Sequence, residues 1–397
     1  MRHYRRAASL AAAILWLAPL YATAQTGEQA GSRRQWSVLF AEAVVARNPQ
    51  VHARWDYTAG VVLLAIDRVA TSIRSEPLRA YVRRNVDKFV QPDGTISGYK
   101  LDEFNLDQIA EGRVLLPLYA RTRDERYRKA AATLRQQLRQ HPRTAEAGFW
   151  HKKIYPQQMW LDGLYMAEPF YAEYAREFGE RSAFDDVARQ FFLVARHTRD
   201  PRTGLLYHGW DAAKAQPWAN RETGLSASFW GRAMGWYMMG LVDALAYFPR
   251  EHRDRDSLIR LLKDAAQAVA RVQDPVTGLW WQVLDEPNRT GNYLEASASS
   301  MFVYAMAMGA RMGYLDASYR RIAERGFDGL IANLVKVGAD GRPSLTNICQ
   351  VAGLGGALRK DGTARDGSYA YYVSEPVVAD DYKGVGPFIM AAQELGR

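Results

Sequence analysis

Two kinds of helical patterning alternate along this chain. The first is charged and amphipathic, with apolar residues every three to four positions and a polar opposite face. It covers about Gln35–Arg47, Pro77–Val90, Asp124–Gln140, Arg181–His197, Arg255–Val272 and Ala317–Val335. The second is apolar nearly all round and rich in Gly, Ala, Ser and Met. It covers about Asp56–Thr71, Asn105–Thr122, Trp160–Phe178, Ser228–Phe248, Leu294–Met312 and Lys383–Leu395. A helix with a polar face lies at a surface, and one that is apolar all round is buried. The pattern therefore predicts six outer helices, each followed by one inner helix.

The links between them are unequal. Inner-to-outer links such as Ser72–Glu76, Gly179–Glu180 and Gly313–Asp316 are short, which makes the two helices antiparallel neighbours. Outer-to-inner links such as His141–Met159, Thr198–Ala227 and Lys336–Tyr382 are long, and long links at one end of a scaffold build a site. Asp200-Pro201-Arg202-Thr203-Gly204-Leu205 and Asp274-Pro275-Val276-Thr277-Gly278-Leu279 repeat one turn signature. Six buried helices, each covered by one outer helix, predict an all-α (α/α)6 barrel. No linker or shift of composition divides it, so residues 25–397 read as a single domain. The long links all precede inner helices, so the inner N-termini converge on one cleft, a field that suits an anionic ligand.

The N-terminus has a different pattern. Arg2, Arg5 and Arg6 precede an apolar run, Ala7–Leu20, that is too short to span a membrane, and Ala22-Thr23-Ala24 is an A-x-A cleavage site. Residues 1–24 thus read as a signal peptide, leaving an exported product, periplasmic or secreted, with no membrane anchor. Its removal lowers the formal charge from the +9 of the whole chain to about +6. Arginines and acids alternate in runs such as Arg121–Arg126, which read as solvated faces and not as a nucleic-acid surface. The single Cys349 rules out an intrachain disulfide. Trp and Tyr are plentiful, and aromatic faces stack on the C–H faces of sugars. A monomer or weak homodimer is expected.

Inner-helix starts concentrate the candidate chemistry. Trp55-Asp56-Tyr57, Asn105-Leu106-Asp107, Trp160-Leu161-Asp162, Tyr293-Leu294-Glu295 and Asp380-Asp381-Tyr382 each place an acid beside an aromatic or polar residue. An acid in a first turn is ordinarily a cap or dipole partner, so about half of these are expected to be structural. Arg232 and Trp236 share a face of one apolar helix, where an arginine needs a carboxylate, the protein's own or a ligand's. His208, His151 and Lys152 lie in long links, where a hydrogen-bonding surface role is the ordinary reading. No His/Cys/Asp set has metal-ligand spacing, and no phosphate loop or serine elbow occurs, so no metal and no cofactor is expected. Carboxylate acid–base chemistry remains.

Taken together, Trp150–Met166, Asn105-Leu106-Asp107, Tyr207-His208-Gly209-Trp210-Asp211, Phe229–Trp236 and Lys383–Phe388 resemble glycoside hydrolase family 105, the unsaturated rhamnogalacturonyl hydrolases, related to the family 88 unsaturated glucuronyl hydrolases. The likeness runs from about Trp55 to the C-terminus and carries the same barrel. It implies an oligosaccharide substrate, left by a polysaccharide lyase, that ends in a 4-deoxy-4,5-unsaturated uronic acid. Such enzymes hydrate the enol-ether double bond and do not displace at the anomeric carbon. The resemblance makes Asp162 the proton donor and Asp107 the second carboxylate. It puts Trp160, Lys152, His208, Arg232, Trp236 and, less directly, Tyr57 against the unsaturated sugar. The rival readings are a glucuronyl hydrolase for ulvan or glycosaminoglycan fragments and a non-catalytic oligouronide-binding protein.

Overall fold

The computed structural model describes residues 18–51, 53–359 and 361–397. Arg2, Arg5, Arg6 and most of the run Ala7–Leu20 lie outside them. The helices are α1 (Ala18–Arg47), α2 (Tyr57–Ser72), α3 (Glu76–Asp87), α4 (Asp107–Ala110), α5 (Leu115–Thr122), α6 (Glu125–Gln140), α7 (Leu161–Phe178), α8 (Ala183–Thr198), α9 (Gly231–Leu245), α10 (Arg255–Arg271), α11 (Ala296–Arg311), α12 (Ser318–Asn333), α13 (Tyr369–Ser374) and α14 (Tyr382–Leu395). Three two-stranded ribbons join them: β1 (Gln158–Trp160) with β2 (Gly209–Asp211), β3 (Val335–Val337) with β4 (Pro343–Leu345), and β5 (Ile348–Cys349) with β6 (Val377–Val378), all antiparallel. No described helix is long and apolar enough to cross a membrane.

The inner helices close into a ring. α2 packs on α4 and the 3-10 turn after it, α4 on α7, α7 on α9, α9 on α11, α11 on α14, and α14 back on α2. α1, α3, α6, α8, α10 and α12 cover them from outside. The architecture is the (α/α)6 barrel that the alternation predicts. Small residues set the closeness of the ring. A Cβ on Gly60 would stand 2.6 Å from the backbone Cα of Glu111, and one on Gly386 would stand 2.6 Å from Val61 Cγ1. The repeated D-P-x-T-G-L segments fold alike. Asp200 Oδ1 accepts from the Arg202 and Thr203 amides, and Asp274 Oδ1 from those of Val276 and Thr277. Gly204 and Gly278 take the left-handed backbone such a turn needs, at φ of 76° and 74°.

Three elements depart from the sequence pattern. The first outer helix begins at Ala18, ahead of the expected Gln35, and runs through Ala22-Thr23-Ala24. The second inner helix is not continuous. α4 gives way to a 3-10 turn, Glu111–Val114, before α5 begins. Pro117 has no amide to donate to the Arg113 carbonyl, so the preceding turn tightens. The last link, Lys336–Tyr382, is not irregular throughout, since it contains most of the strand pairing of β3 to β6 and also α13.

The tightened turn points Arg113 into the lumen, where it is 1 % exposed. Its Nη2 lies 2.8 Å from Asp243 of α9. Arg68 of α2 lies 3.6 Å from the same carboxylate, and the Tyr304 hydroxyl of α11 donates to it at 2.6 Å. α2 and α9 are opposite members of the ring, so this cluster spans the lumen and plugs it. Burial pushes the Asp243 carboxyl up, but Arg113 and Arg68 outweigh burial and hold it below the usual carboxylate range. Removing one partner of a buried pair strands the other's charge. Asp243→Ala is expected to lower unfolding stability by about 3–5 kcal/mol in a denaturant titration. Glu76→Ala, on an exposed ion pair with Arg79, is the control and is expected to cost about 1 kcal/mol or less.

Candidate active site

The five acids at inner-helix starts divide by local geometry. Asp56 accepts the Thr58 amide at 2.9 Å, Glu295 the Ala298 amide at 2.6 Å and Asp381 the Lys383 amide at 2.9 Å, so these three are N-caps. Asp107 and Asp162 lie within the first turns of α4 and α7, and neither caps its helix. The residues at the cap positions, Leu106 and Trp160, have no capping side chain. Both carboxylates are therefore free of the local role that first-turn acids ordinarily fill.

Asp107 faces a cation. Lys152 Nζ lies 2.5 Å from Asp107 Oδ2, and His151 Nε2 lies 3.5 Å from Oδ1. The link after α6 folds across to make this contact. Lys152 pairs with Asn105 in an isolated antiparallel bridge, and the Leu106 amide donates to the His151 carbonyl at 3.2 Å. Burial raises the Asp107 carboxyl, but Lys152 first and His151 second bring it below its ordinary value. Lys152 is raised: burial lowers it, and Asp107 more than compensates. Burial takes His151 down to about 4, so it is neutral near pH 7. Asp107 and Lys152 thus form an ion pair.

Asp162 faces a histidine. His208 Nε2 lies 3.0 Å from Asp162 Oδ2, without the alignment of a hydrogen bond. His208 is 0 % exposed and Asp162 9 %. The β1–β2 pairing sets Trp160 opposite Gly209, and the Leu161 amide donates to the His208 carbonyl at 3.0 Å, which brings His208 to the start of α7. The other ring nitrogen, Nδ1, is 2.7 Å from the Tyr372 hydroxyl on α13. Burial, with the charge of Asp162 among the lesser causes, raises that phenol well above its ordinary value, so it stays protonated. The Trp160 ring stacks on His151 and Tyr155, with centroids at 4.4 and 4.8 Å, and stands edge-on to His208 at 5.6 Å. Leu354 and Trp218 pack against Trp160. Gly209 allows this, because a Cβ there would come within 2.6 Å of Leu354 and 3.0 Å of Trp160.

Arg232 meets a carboxylate of the protein. It is 1 % exposed, its Nε donates to Ser297 Oγ at 2.7 Å, and Nη2 lies 3.5 Å from Glu295 and also donates to the Cys349 carbonyl. Trp236 is buried, 4.5 Å from Tyr165 and edge-on to Tyr57 at 6.4 Å. It therefore supports Tyr57 from below. A cleft of about 800 Å³ opens beside these groups, lined by Tyr57, Asp107 and Lys152 among others. Asp162, His208, Arg232, Trp160 and Trp236 are not among its lining residues, but Lys152 and His151 both feel the charges of Asp107 and Asp162. Tyr372, Glu295 and Ser297 were missed as site residues. Only the aromatic run Tyr369-Ala370-Tyr371-Tyr372 signals the first, and nothing in the sequence pairs it with His208. Among the described residues, one His/carboxylate cluster could approach a metal, Asp185, His252 and Asp254, away from the cleft. Arg253 already bridges its two carboxylates.

A helical toroid with an aromatic-walled pair of carboxyl groups at the inner N-termini defines a glycoside hydrolase of the six-hairpin type. The chain belongs to glycosyl hydrolase family 88, whose model matches residues 35–397. It is similar in structure to a family 105 glycoside hydrolase from C. acetobutylicum, with a TM-score of 0.88 and 47% identity over 91% of this chain and 99% of that one. It is 29% identical to the unsaturated rhamnogalacturonyl hydrolase YesR of Bacillus subtilis, over 76% of this chain and 82% of the relative. An unsaturated glucuronyl hydrolase from Bacillus sp. GL1 shares the fold, with a TM-score of 0.65 and 15% identity over 94% of this chain and 97% of that one.

Lys152→Ala removes the largest influence holding Asp107 low and leaves its burial. The Asp107 carboxyl is then expected to titrate at higher pH, moving any acid-side loss of kcat/KM that depends on the ionised form upward by about one pH unit or more. A pH–rate profile of the two proteins on one substrate checks this; superimposable acid limbs would show that Asp107 is not required as an anion.

Proposed function

We propose that this enzyme removes a terminal 4-deoxy-4,5-unsaturated uronic acid from lyase-generated oligosaccharides by hydrating its enol-ether double bond. The observation that carries this reading is the pairing of Asp162 with His208 apart from an ionised Asp107. One carboxyl is committed as the anion of a salt bridge. The other, held against Trp160 and His208 with no lysine or arginine on it, is the carboxyl left for proton transfer to the substrate.

In this mechanism Asp162 gives its proton to C4, and positive charge develops across C5 and the ring oxygen. Asp107, one anion held close by, stabilises that charge. Water adds at C5 and returns a proton to Asp162, so the group ends as it began. The C5–ring oxygen bond of the hemiketal then breaks to give a ketone, and the hemiacetal freed at C1 releases the remaining sugar. Tyr372 holds the His208 ring at Asp162, Trp160 walls the site, and Tyr57, braced by Trp236, offers a stacking face. Lys152 stands where it can meet the substrate carboxylate as well as Asp107. Arg232, already matched by Glu295, adds positive potential from beneath.

The uronic acid we propose is unsaturated galacturonic acid on rhamnogalacturonan or other pectin fragments. The name of the Bacillus subtilis relative supports this, and its likeness covers most of both chains. Export belongs to the same proposal: a basic start, a short apolar run and an A-x-A site suit an enzyme that meets such fragments in the periplasm or outside the cell.

Loss of the ultraviolet absorbance of the unsaturated uronide tests the reaction. The wild-type protein is expected to bleach it, and Asp162→Asn to lower kcat by about 10²–10⁴-fold. In deuterium oxide the product is expected to carry one deuterium at C4 by NMR. A released sugar that keeps its double bond would show hydrolysis at the anomeric carbon and overturn the hydration mechanism.

A further inference from the structure

The cleft continues past the residues assigned above. Trp55 stands next to Asp107, its indole nitrogen donating to the Gln108 carbonyl at 2.8 Å, and its ring meets Phe89 edge-on at 6.1 Å. Beyond this aromatic layer the cleft is lined by Arg54, from the link before α2, by Lys88 at the C-terminal end of α3, and by Lys100. The acids lining it are already committed: Asp56 caps α2, Glu103 lies 3.5 Å from Lys100, and Asp107 holds Lys152. Arg54 and Lys88 form no ion pair among the described residues. Two cations without an ion-pair partner among the described residues therefore line a cavity too large for one sugar ring, a cavity that Asp162 itself does not line.

We propose that this basic end is a subsite for a second carboxylate on the substrate, carried by a sugar beyond the terminal unsaturated unit. The proposal rests on the oligosaccharide reading above and narrows it. A lyase acting on a polymer whose repeat carries one uronic acid leaves fragments with a carboxylate on every second sugar. Once the unsaturated end is at Asp162, the third sugar is the next to carry charge. Arg54 offers a planar fork that matches a carboxylate, and Lys88 offers a point charge beside the apolar edges of Trp55 and Phe89. The preferred substrate class is then an acidic tetrasaccharide or longer, above the disaccharide with a single carboxylate. The contact is solvent-facing, so its contribution is modest and falls with salt.

Titration calorimetry on the Asp162→Asn protein, which keeps the cleft and turns over at least about a hundredfold more slowly, provides the test. The probes are the unsaturated disaccharide and the tetrasaccharide whose third sugar is uronic. Adding Arg54→Ala and Lys88→Ala together is expected to weaken the tetrasaccharide by about tenfold and leave the disaccharide unchanged. Arg54→Lys in place of Arg54→Ala is expected to recover part of the loss. Equal weakening of both probes, or of neither, overturns the subsite. With Asp162 intact, the same double substitution is expected to lower the tetrasaccharide-to-disaccharide ratio of kcat/KM by a similar factor. An unchanged ratio also overturns it. Because the calorimetric arm needs no turnover, a wild-type protein that leaves the chromophore intact would sink the hydration reaction alone, and the titration would still decide the subsite.

Discussion

The toroid depends on one buried carboxylate. Asp243 gathers Arg113, Arg68 and the Tyr304 hydroxyl, so four inner helices meet through a single charged cluster. Apolar packing alone would let six smooth, Gly- and Ala-rich helices slide against one another. A buried ion pair in low dielectric restricts the arrangement, because any slip leaves a charge without a partner. The break ahead of Pro117 in the second inner helix serves the same cluster: the 3-10 turn is what presents Arg113 to the lumen. With the lumen plugged there, the opposite end is left as the place where a ligand can enter among the inner N-termini.

The site is built from links that cross their own helix pairs. The link after α6 reaches back to α4 and sets Lys152 on Asp107. The link after α8 lies antiparallel to the start of α7 and sets His208 on Asp162. The link after α12 comes round the ring and sets Tyr372 on His208. Each long link thus completes a side chain placed by a neighbouring pair, and the carboxyl groups themselves stand on helices. Rigid elements carry the two carboxyl groups, and links carry the groups that face them, an arrangement that holds geometry while allowing the outer cleft to vary.

Two carboxyl groups at similar positions, the first turns of neighbouring inner helices, are separated by what faces them. Asp107 meets a lysine and is held as an anion. Asp162 meets the edge of a buried imidazole whose far nitrogen is tied to a phenol that stays protonated. The same helix-start position thus gives two different electrostatic settings, set by the group that each carboxyl meets.

Much of this was legible in the order of residues. The alternation of one-sided and all-round apolar helices, with short links at one end and long links at the other, determined the six-hairpin barrel and the end at which the site lies, because burial periodicity and link length are local properties. The repeated D-P-x-T-G-L turns were equally local. The settings of the five helix-start acids were not, since a capping and a non-capping carboxyl look the same until the amide each one meets is known. Arg232 could be read as needing a carboxylate, but whether Glu295 or a ligand supplied it depended on the register of α9 against α11. His208 read as a surface loop residue, and the pairing of the adjacent Gly209 with Trp160, 49 residues earlier, buried it. Tyr372 and the Asp243 cluster lie still further apart in sequence. The chain's own pattern determined which faces are buried and which end is open; only tertiary contact decided which charge meets which, because electrostatic partnership depends on distance in space, and nothing local in the sequence encodes it.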